Sequence, residues 1–271
     1  MRNSIFLLAL LIFNTSYSQE LSIDWVKKAT IATESISCWN VDAFNQLFIA
    51  DQSTLIKFNN TGSILYKISN KSFGEIQQII PITPLKILLF SEVQQQICFV
   101  DNTLTLVNDC IDLSEYEIEY ASHIARSERG DKLWIYDQIN SRILLIDLTQ
   151  KGKIVQEIRN TKGLVEMGQL IEMIEFDSKL YLLDNAKKLT ILDLYGSLIN
   201  QRKTETHSIC SSDNIFWELD SNRIIKEERS TNSSFFSTLP PIPVLRFHVI
   251  NNQFYFQEKN NIHIFEFVEK K

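Results

Sequence analysis

Three of the four histidines are the side chains whose type best fits metal chemistry. Neutral imidazole is a common ligand of divalent metals, and histidines from separate repeats can share one ion. His123, His207 and His248 lie ten, eight and six residues before the first apolar position of the hairpin that follows each of them. This unequal spacing predicts different heights along their strands, so the sequence favours ordinary hydrogen-bonded histidines over a shared metal.

Carboxylates form a second set of candidate metal ligands. A metal-dependent hydrolase or lyase needs several of them around one divalent ion. By position the candidates are Glu75, Asp42, Glu172 and Asp213, but no spacing motif connects them. The sequence also contains no nucleophile elbow, zinc-binding helix or phosphate loop. No catalytic residue and no cofactor is therefore predicted, and a divalent metal in a central channel is the alternative.

Five further residues are candidates for contact with a partner protein. Trp39 and Trp25 are expected on an inner and an outer strand, where each ring either packs in the interior or is exposed as an anchor. Pro240, Pro241 and Pro243 stiffen the segment TLPPIPV at residues 238–244. A stiff apolar loop serves either as a plain connector or as a docking element.

Four cysteines are spread along the chain without the C-x-x-C spacing of a zinc or redox site: Cys38, Cys98, Cys110 and Cys210. Their density is far below that of a disulfide scaffold. One bridge is possible, and the sequence leaves its pairing open. Isolated buried thiols that act as small hydrophobic side chains are the favoured interpretation.

The first eighteen residues have the pattern of a secretory signal. Arg2 is the positive region, residues 5–13 are an unbroken apolar run, and Ser16 and Ser18 are the small residues before the cleavage site. The apolar run is too short to cross a bilayer, and no cysteine follows for a lipid anchor. The sequence thus predicts a leader at 1–18 and a soluble periplasmic or extracellular protein. A net charge of −6 with no basic block argues against binding to nucleic acid.

The elements that would position these residues come from one repeated pattern. Each unit has a polar residue, four or five apolar or aromatic residues, an acid, a short turn and a second apolar run, as in NQLFIAD, KLWIYD, KLYLLD and QFYFQE. Such runs predict strands, and the polar break predicts a hairpin. The acids that end the first runs are expected to accept backbone N–H groups in the turns: Asp51, Glu92, Asp137, Asp184, Asp220 and Glu258.

Further extended segments complete each unit. One precedes every hairpin and one follows each of the first five, including the acidic segment 111–120, where alternating apolar residues and acids predict an outer edge strand. The sixth unit ends at Val268 after three strands, while an orphan strand at 21–31 precedes the first unit. If that strand completes the last sheet, the array closes into a ring. Residues 19–271 are therefore predicted to form a single all-β domain, a six-bladed β-propeller with four-stranded antiparallel blades.

These repeated hairpins resemble the six-bladed β-propellers of the NHL and gluconolactonase-like group. The resemblance implies a central channel whose mouth binds ligands or partners. Without a catalytic constellation in the sequence, the expected function is a non-catalytic interaction module. An envelope or outer-membrane protein complex is the expected partner, with the propeller as scaffold or plug. The alternatives are a metal-dependent lactonase- or lyase-type enzyme and a propeller that binds carbohydrate or peptide.

Overall fold

The computed structural model describes residues 19–20, 23–150, 153–164, 169–212, 214–229 and 234–269. Almost all of the regular structure in these residues is β-strand. Six sheets, each with four consecutively paired antiparallel strands, form a six-bladed β-propeller, which confirms the predicted fold class. The predicted leader, residues 1–18, lies outside the described residues.

The strands follow one another blade by blade along the chain. The first two are β1 Gln19–Glu20 and β2 Ile23–Ala32. Blade 1 contains β3 Cys38–Val41, β4 Leu47–Asp51, β5 Thr54–Phe58 and β6 Ile64–Ser69. Blade 2 contains β7 Gln78–Thr83, β8 Lys86–Ser91, β9 Gln96–Val100 and β10 Ile111–Asp112. Blade 3 contains β11 Ala121–Arg126, β12 Lys132–Asp137, β13 Arg142–Asp147 and β14 Lys153–Ile158.

The second half of the chain repeats this order. Blade 4 contains β15 Leu170–Phe176, β16 Lys179–Asp184, β17 Lys188–Asp193 and β18 Leu198–Lys203. Blade 5 contains β19 Ser208–Ser212, β20 Ile215–Leu219, β21 Arg223–Glu228 and β22 Ser234–Thr238. Blade 6 contains β23 Arg246–Ile250, β24 Gln253–Glu258 and β25 Asn261–Glu269. The described helices are short: 3-10 turns at Lys71–Phe73, Leu113–Tyr116 and Leu148–Gln150, and one α-helical turn at Thr161–Leu164.

The ring is closed by the beginning of the chain. β2 pairs antiparallel with β25, from Ile23 opposite Glu269 to Ala32 opposite Asn261. It is thus the outermost strand of blade 6, and the prediction of this closure is confirmed. The two-residue strand β1 was not predicted: it adds to the outer edge of blade 5 by pairing parallel with β22. The first strands therefore join the last two blades.

The second strand of each blade is largely apolar because both of its faces are covered. In β12, for example, Leu133, Trp134, Ile135 and Tyr136 are all buried. Alternation of apolar and polar residues is expected only where one face of a strand meets water. The outermost strands show the opposite extreme, since the side chains of β6 are almost all exposed. This difference explains why continuous apolar runs recur in the sequence.

The core is divided into clusters that lie between neighbouring blades. One cluster joins blades 1 and 2, and others join 2 and 3, 3 and 4, 4 and 5, and 5 and 6. A further cluster joins blades 6 and 1 and contains Ile31 of β2 together with Trp39 and Tyr255. The closing contact is therefore packed like the other junctions between blades.

One predicted strand is wrong. Only Ile111 and Asp112 of segment 111–120 pair with β9, and the chain then turns into the 3-10 helix Leu113–Tyr116. The Asp112 side chain accepts a hydrogen bond from Ser114 N at 2.9 Å, which starts this turn. Leu113 and Ile118 are buried in the cluster between blades 2 and 3. Burial of these two side chains holds the segment across the junction rather than along the sheet edge.

The role predicted for the turn acids is confirmed at three of the six positions. Asp137, Asp184 and Asp220 accept backbone N–H groups in their turns, from Asn140, Lys188 and Asn222 respectively. Glu92 and Glu258 instead contact side chains, a tyrosine hydroxyl and a histidine ring respectively. The longer Glu side chain reaches past the turn to a neighbouring element.

Ile31 tests the contribution of the closing strand to stability. Because Ile31 is only 4% exposed at the junction of blades 6 and 1, Ile31→Ala is expected to lower the free energy of unfolding by about 2–5 kcal/mol. Val26 on the same strand is 42% exposed, so Val26→Ala should change it by about 0.5 kcal/mol or less. Urea unfolding followed by tryptophan fluorescence measures both variants. If Ile31→Ala lowered the free energy of unfolding as little as Val26→Ala does, β2 would contribute little to closure of the ring.

Candidate functional site: the axial channel

The six innermost strands surround a cavity on the axis of the ring. Its volume is about 840 Å³, and it is lined by side chains from all six blades. Successive innermost strands contact one another, and the contact of β23 with β3 completes the circle. Binding sites for small molecules in proteins usually measure several hundred to about 1,000 Å³. The channel therefore has the size of a ligand site.

The cavity has a defined direction. Asp42, Pro84 and Glu128 line it from the turns that follow β3, β7 and β11. We call the face of the propeller formed by the turns after the first and third strands of each blade the mouth face. Glu172 and Arg246 line the cavity near the starts of their strands, β15 and β23. At about 3.3 Å per residue, Arg246 lies about 13 Å deeper than the last residue of its strand.

An ion pair crosses the deep end of the channel. Arg246 on blade 6 reaches Glu172 on blade 4, with 3.2 Å between Nε and Oε1. Glu172 also accepts hydrogen bonds from Ser208 Oγ, at 3.1 Å, and from the backbone N–H of Ile209. Burial raises the pKa of the Glu172 carboxyl, while Arg246 and these two donors act in the opposite direction. Glu172 was a sequence candidate, but its partner Arg246 was missed.

His248 lies two residues after Arg246 on the same face of β23. Its ring packs edge-on against Trp39, with 4.8 Å between the ring centroids. Nε2 is buried and has no hydrogen-bond partner among the described residues. Burial lowers the pKa of His248 to about 3, and the charge of Arg246 acts in the same direction. This imidazole is therefore neutral at physiological pH.

His123, on β11, is a second buried histidine close to Arg246, although it is not among the residues that line the cavity. Its Nδ1 lies 3.3 Å from Ser122 Oγ on β11. Burial lowers the pKa of His123 to about 4, a hydrogen bond with the Ile171 backbone opposes the shift, and Arg246 adds to it. The structure thus places His123 and His248 around one arginine.

The other sequence candidates for metal ligands lie apart. His207 contacts the Val244 carbonyl at 3.3 Å, and Glu75 is exposed outside the cavity lining. Asp42 is at the mouth, where Oδ1 accepts two backbone N–H groups and Oδ2 is buried without a hydrogen-bond partner. Asp213 lies outside the described residues. Within the described ranges, no three His, Cys, Asp or Glu side chains are grouped as metal ligands would be.

Arginines organise part of the mouth face. Arg229 pairs with Glu128 at 2.9 Å and with Asp177 at 2.7 Å, so it joins blades 3, 4 and 5. Its guanidinium also lies over the Phe176 ring, 5.3 Å from the centroid. Arg126, which lines the same cavity, is exposed at the end of β11. The mouth therefore carries both paired and accessible positive charge.

The cysteines divide into one bridge and two thiols. Cys98 and Cys110 form a disulfide, which resolves the pairing that the sequence left open. Cys38 and Cys210 are buried thiols, as predicted, and both line the channel. Burial raises the pKa of Cys38 to about 12 and raises that of Cys210 as well. Both are thus protonated and weakly nucleophilic.

The two tryptophan candidates for partner contact pack inside the propeller. Trp39 is 2% exposed, and its Nε1 donates to Gln257 Oε1 at 2.7 Å. Trp25 is half-buried among the phenylalanines of blade 6, and its Nε1 donates to the Thr238 carbonyl at 2.8 Å. These placements favour the packing interpretation of both rings over their role as exposed anchors.

The proline segment begins beside Trp25. Pro240 is buried, whereas Pro241 and Pro243 are exposed. Ile242, which lies between the two exposed prolines, and Val244, which follows them, pack against the cluster that joins blades 5 and 6. The segment is therefore attached to the core through alternate residues, and two prolines remain accessible.

Comparisons with known proteins support the fold alone. The sequence matches no family model and none of the curated proteins with which it was compared. A chain of the mitotic checkpoint complex is similar in structure, with a TM-score of 0.64, 7% identity and coverage of 100% of both chains. Virginiamycin B lyase from Staphylococcus aureus is similar with a TM-score of 0.56 and 14% identity, and the match covers 85% of this chain and 80% of the lyase. BamB from Moraxella catarrhalis is similar with a TM-score of 0.53 and 11% identity, and the match covers 94% of each chain.

These similar structures include a chain of a protein complex and an enzyme. At such low identity they carry no residue roles to this chain. The membership in the NHL and gluconolactonase-like group expected from the sequence stays a prediction. None of the helices in the described part of the chain has the length and apolar character needed to cross a bilayer.

The two neutral buried histidines, His123 and His248, predict a pH dependence of stability. An unfolded histidine titrates near its ordinary pKa of 6.5, whereas native His248 takes up a proton only near pH 3. Between these values the unfolded state binds one more proton, so the free energy of unfolding falls as the pH falls. The slope approaches about 1.4 kcal/mol per pH unit for each such histidine.

Urea unfolding at several pH values between 7 and 5 measures this effect. His248→Gln should reduce the slope of the free energy of unfolding against pH by up to about 1.4 kcal/mol per pH unit, the contribution of one histidine. His123→Gln should reduce the same slope independently. The double variant should lose both contributions. Parallel pH curves for the wild type and the double variant would contradict the assignment of neutral histidines.

Proposed function

We propose that this chain is an exported, non-catalytic propeller that acts as a protein-interaction module in an envelope or outer-membrane complex, as scaffold or plug. The observation that carries the proposal is the composition of the mouth face. Phe44 and Leu85, at the turn tips of the adjacent blades 1 and 2, are 64% and 67% exposed. Tyr195 on blade 4 is 86% exposed on the same face.

The residue types on this face are those that dominate protein interfaces. Aromatic residues and arginine are enriched in interface hot spots, while aliphatic residues are less so. The mouth face presents Phe44, Tyr195 and Arg126, whereas Val93 and Ile139, on turns of the opposite face, are aliphatic. The similarity to a propeller from a protein complex is consistent with this use of the fold.

The disulfide supports the exported location within this proposal. Stable disulfides form in oxidising compartments and are rare where thiol reductants are present. Cys98 and Cys110 join β9 to the segment that leads into β10, at a sequence separation of 12. Together with the predicted leader at 1–18, the bridge favours the periplasm or the cell exterior.

The state of the cysteines tests the location. Protein isolated from its native host and denatured without reductant should show two reactive thiols, and four after reduction. Cys98→Ala/Cys110→Ala should lower the free energy of unfolding by about 3 kcal/mol and make stability insensitive to reductant. Thiol labelling with mass spectrometry and urea unfolding measure these effects. Four reactive thiols before reduction would argue against an oxidising compartment.

The mouth face is tested by paired variants in the native host. Phe44→Ser/Leu85→Ser should abolish recovery of a stoichiometric partner after cross-linking and purification from envelope extracts. Val93→Ser/Ile139→Ser, the matched control on the opposite face, should retain it. Because all four side chains are exposed, the variants should remain folded, which circular dichroism checks. Recovery of the protein alone, with a divalent metal in elemental analysis, would favour a lactonase- or lyase-type enzyme instead.

A further inference from the structure

The guanidinium of Arg246 is incompletely used by the protein. The ion pair joins Nε to Glu172 Oε1 at 3.2 Å, and Nε is buried without a well-aligned hydrogen bond to the described residues. Within the described residues, no other hydrogen bond or ring contact to this guanidinium is found. Arginine has five N–H donors in a planar fork, which matches the two oxygens of a carboxylate. The terminal N–H groups of Arg246 are therefore available at the deep end of the cavity.

The negative charge opposite Arg246 is already shared. Both oxygens of Glu172 are engaged by Ser208 and by the Ile209 backbone, and burial raises the pKa of this carboxyl. The side chain of Arg246 is 34% exposed, so its charge is only partly removed from water, and a counter-charge with good geometry would stabilise it further. An added anion in front of the terminal nitrogens would satisfy Arg246 without displacing Glu172.

A second polar side chain near Arg246, that of His248, is neutral and unpaired. His248 is uncharged, and its Nε2 is buried without a hydrogen-bond partner. As residues 246 and 248 point to the same face of β23, their Cα atoms are about 7 Å apart. This neutral imidazole supplies a second polar contact near the arginine. It adds no charge of its own.

Apolar side chains lie among the polar groups of the channel wall between Arg246 and the mouth. Ile80, Ile174 and Ile250 from blades 2, 4 and 6 line the cavity, and each is only half-buried where it packs against a cluster between blades. A cation at depth and aliphatic walls above it favour a ligand with an anionic head and an apolar body.

We propose that the axial channel binds a carboxylate on an apolar body, with the carboxylate on Arg246 and the body against Ile80, Ile174 and Ile250. Two sources present this chemistry: a small organic acid, and the C-terminal end of an apolar peptide. Both enter from the mouth face, and both fit a cavity of about 840 Å³. The site stands independently of whether the propeller also docks on a partner protein.

Binding is measured by titration calorimetry with matched probes. The first pair of probes is hexanoate and hexanamide, which have the same length and differ in charge. The second pair is an apolar acetylated tripeptide with a free C-terminal carboxylate and the same peptide with a C-terminal amide. The wild type should bind each carboxylate saturably and at least about tenfold more tightly than the matching amide, because only the carboxylate forms charge-assisted bonds with Arg246. Tighter binding of the peptide acid than of hexanoate identifies a chain end as the ligand, and the reverse identifies a small acid.

Variants locate the site. Arg246→Met/Glu172→Gln removes the ion pair as a unit, so that no charge is left buried alone, and should abolish the preference for carboxylate over amide. Arg159→Gln removes an exposed arginine outside the lining of this cavity and should leave the preference intact. Equal binding of acid and amide by the wild type overturns the proposal even without the variants. Absence of saturable carboxylate binding, or a preference that survives in Arg246→Met/Glu172→Gln, overturns it as well.

Discussion

The pairing of β2 with β25 is the constraint on which the rest of the molecule depends. Without it, blade 6 would lack its outer strand, and Ile31 would be absent from the cluster between blades 6 and 1. Each blade buries both faces against its neighbours, so an open array would expose two of these faces. Closure also determines the channel, because β23 and β3 become neighbours only when the ends of the chain meet.

The sequence predicted the features that depend on local pattern. The apolar runs and turn acids indicated hairpins. The count of three strands in the last unit, with one extra strand at the start of the chain, indicated that the first strand completes the last blade. Segment 111–120 was misinterpreted because alternation there reflects burial of Leu113 and Ile118 at a blade junction, not pairing at an edge. The parallel addition of β1 to blade 5 has no periodic signal in two residues.

The channel was only half predicted, for a similar physical reason. Glu172 and the histidines were identified by residue type and by position on inner strands. Arg246 was overlooked, although it stands at the position that alternates with His248 on the same strand. Its contact with Glu172 joins blades that are not adjacent, and such a pair is set by the diameter of the ring rather than by sequence spacing. A charged residue in phase with a channel histidine is the signal that would have found it.

Burial in the ring gives the channel its electrostatic character. Desolvation keeps His123, His248 and the thiols neutral, so the charge of Arg246 is opposed mainly by one carboxylate that is itself buried. The cavity opens on the same face that presents Phe44 and Leu85. A partner seated on that face would exclude water from the mouth and lower the local dielectric constant. Attraction between Arg246 and a bound carboxylate would then strengthen, which couples occupancy of the channel to docking through electrostatics alone.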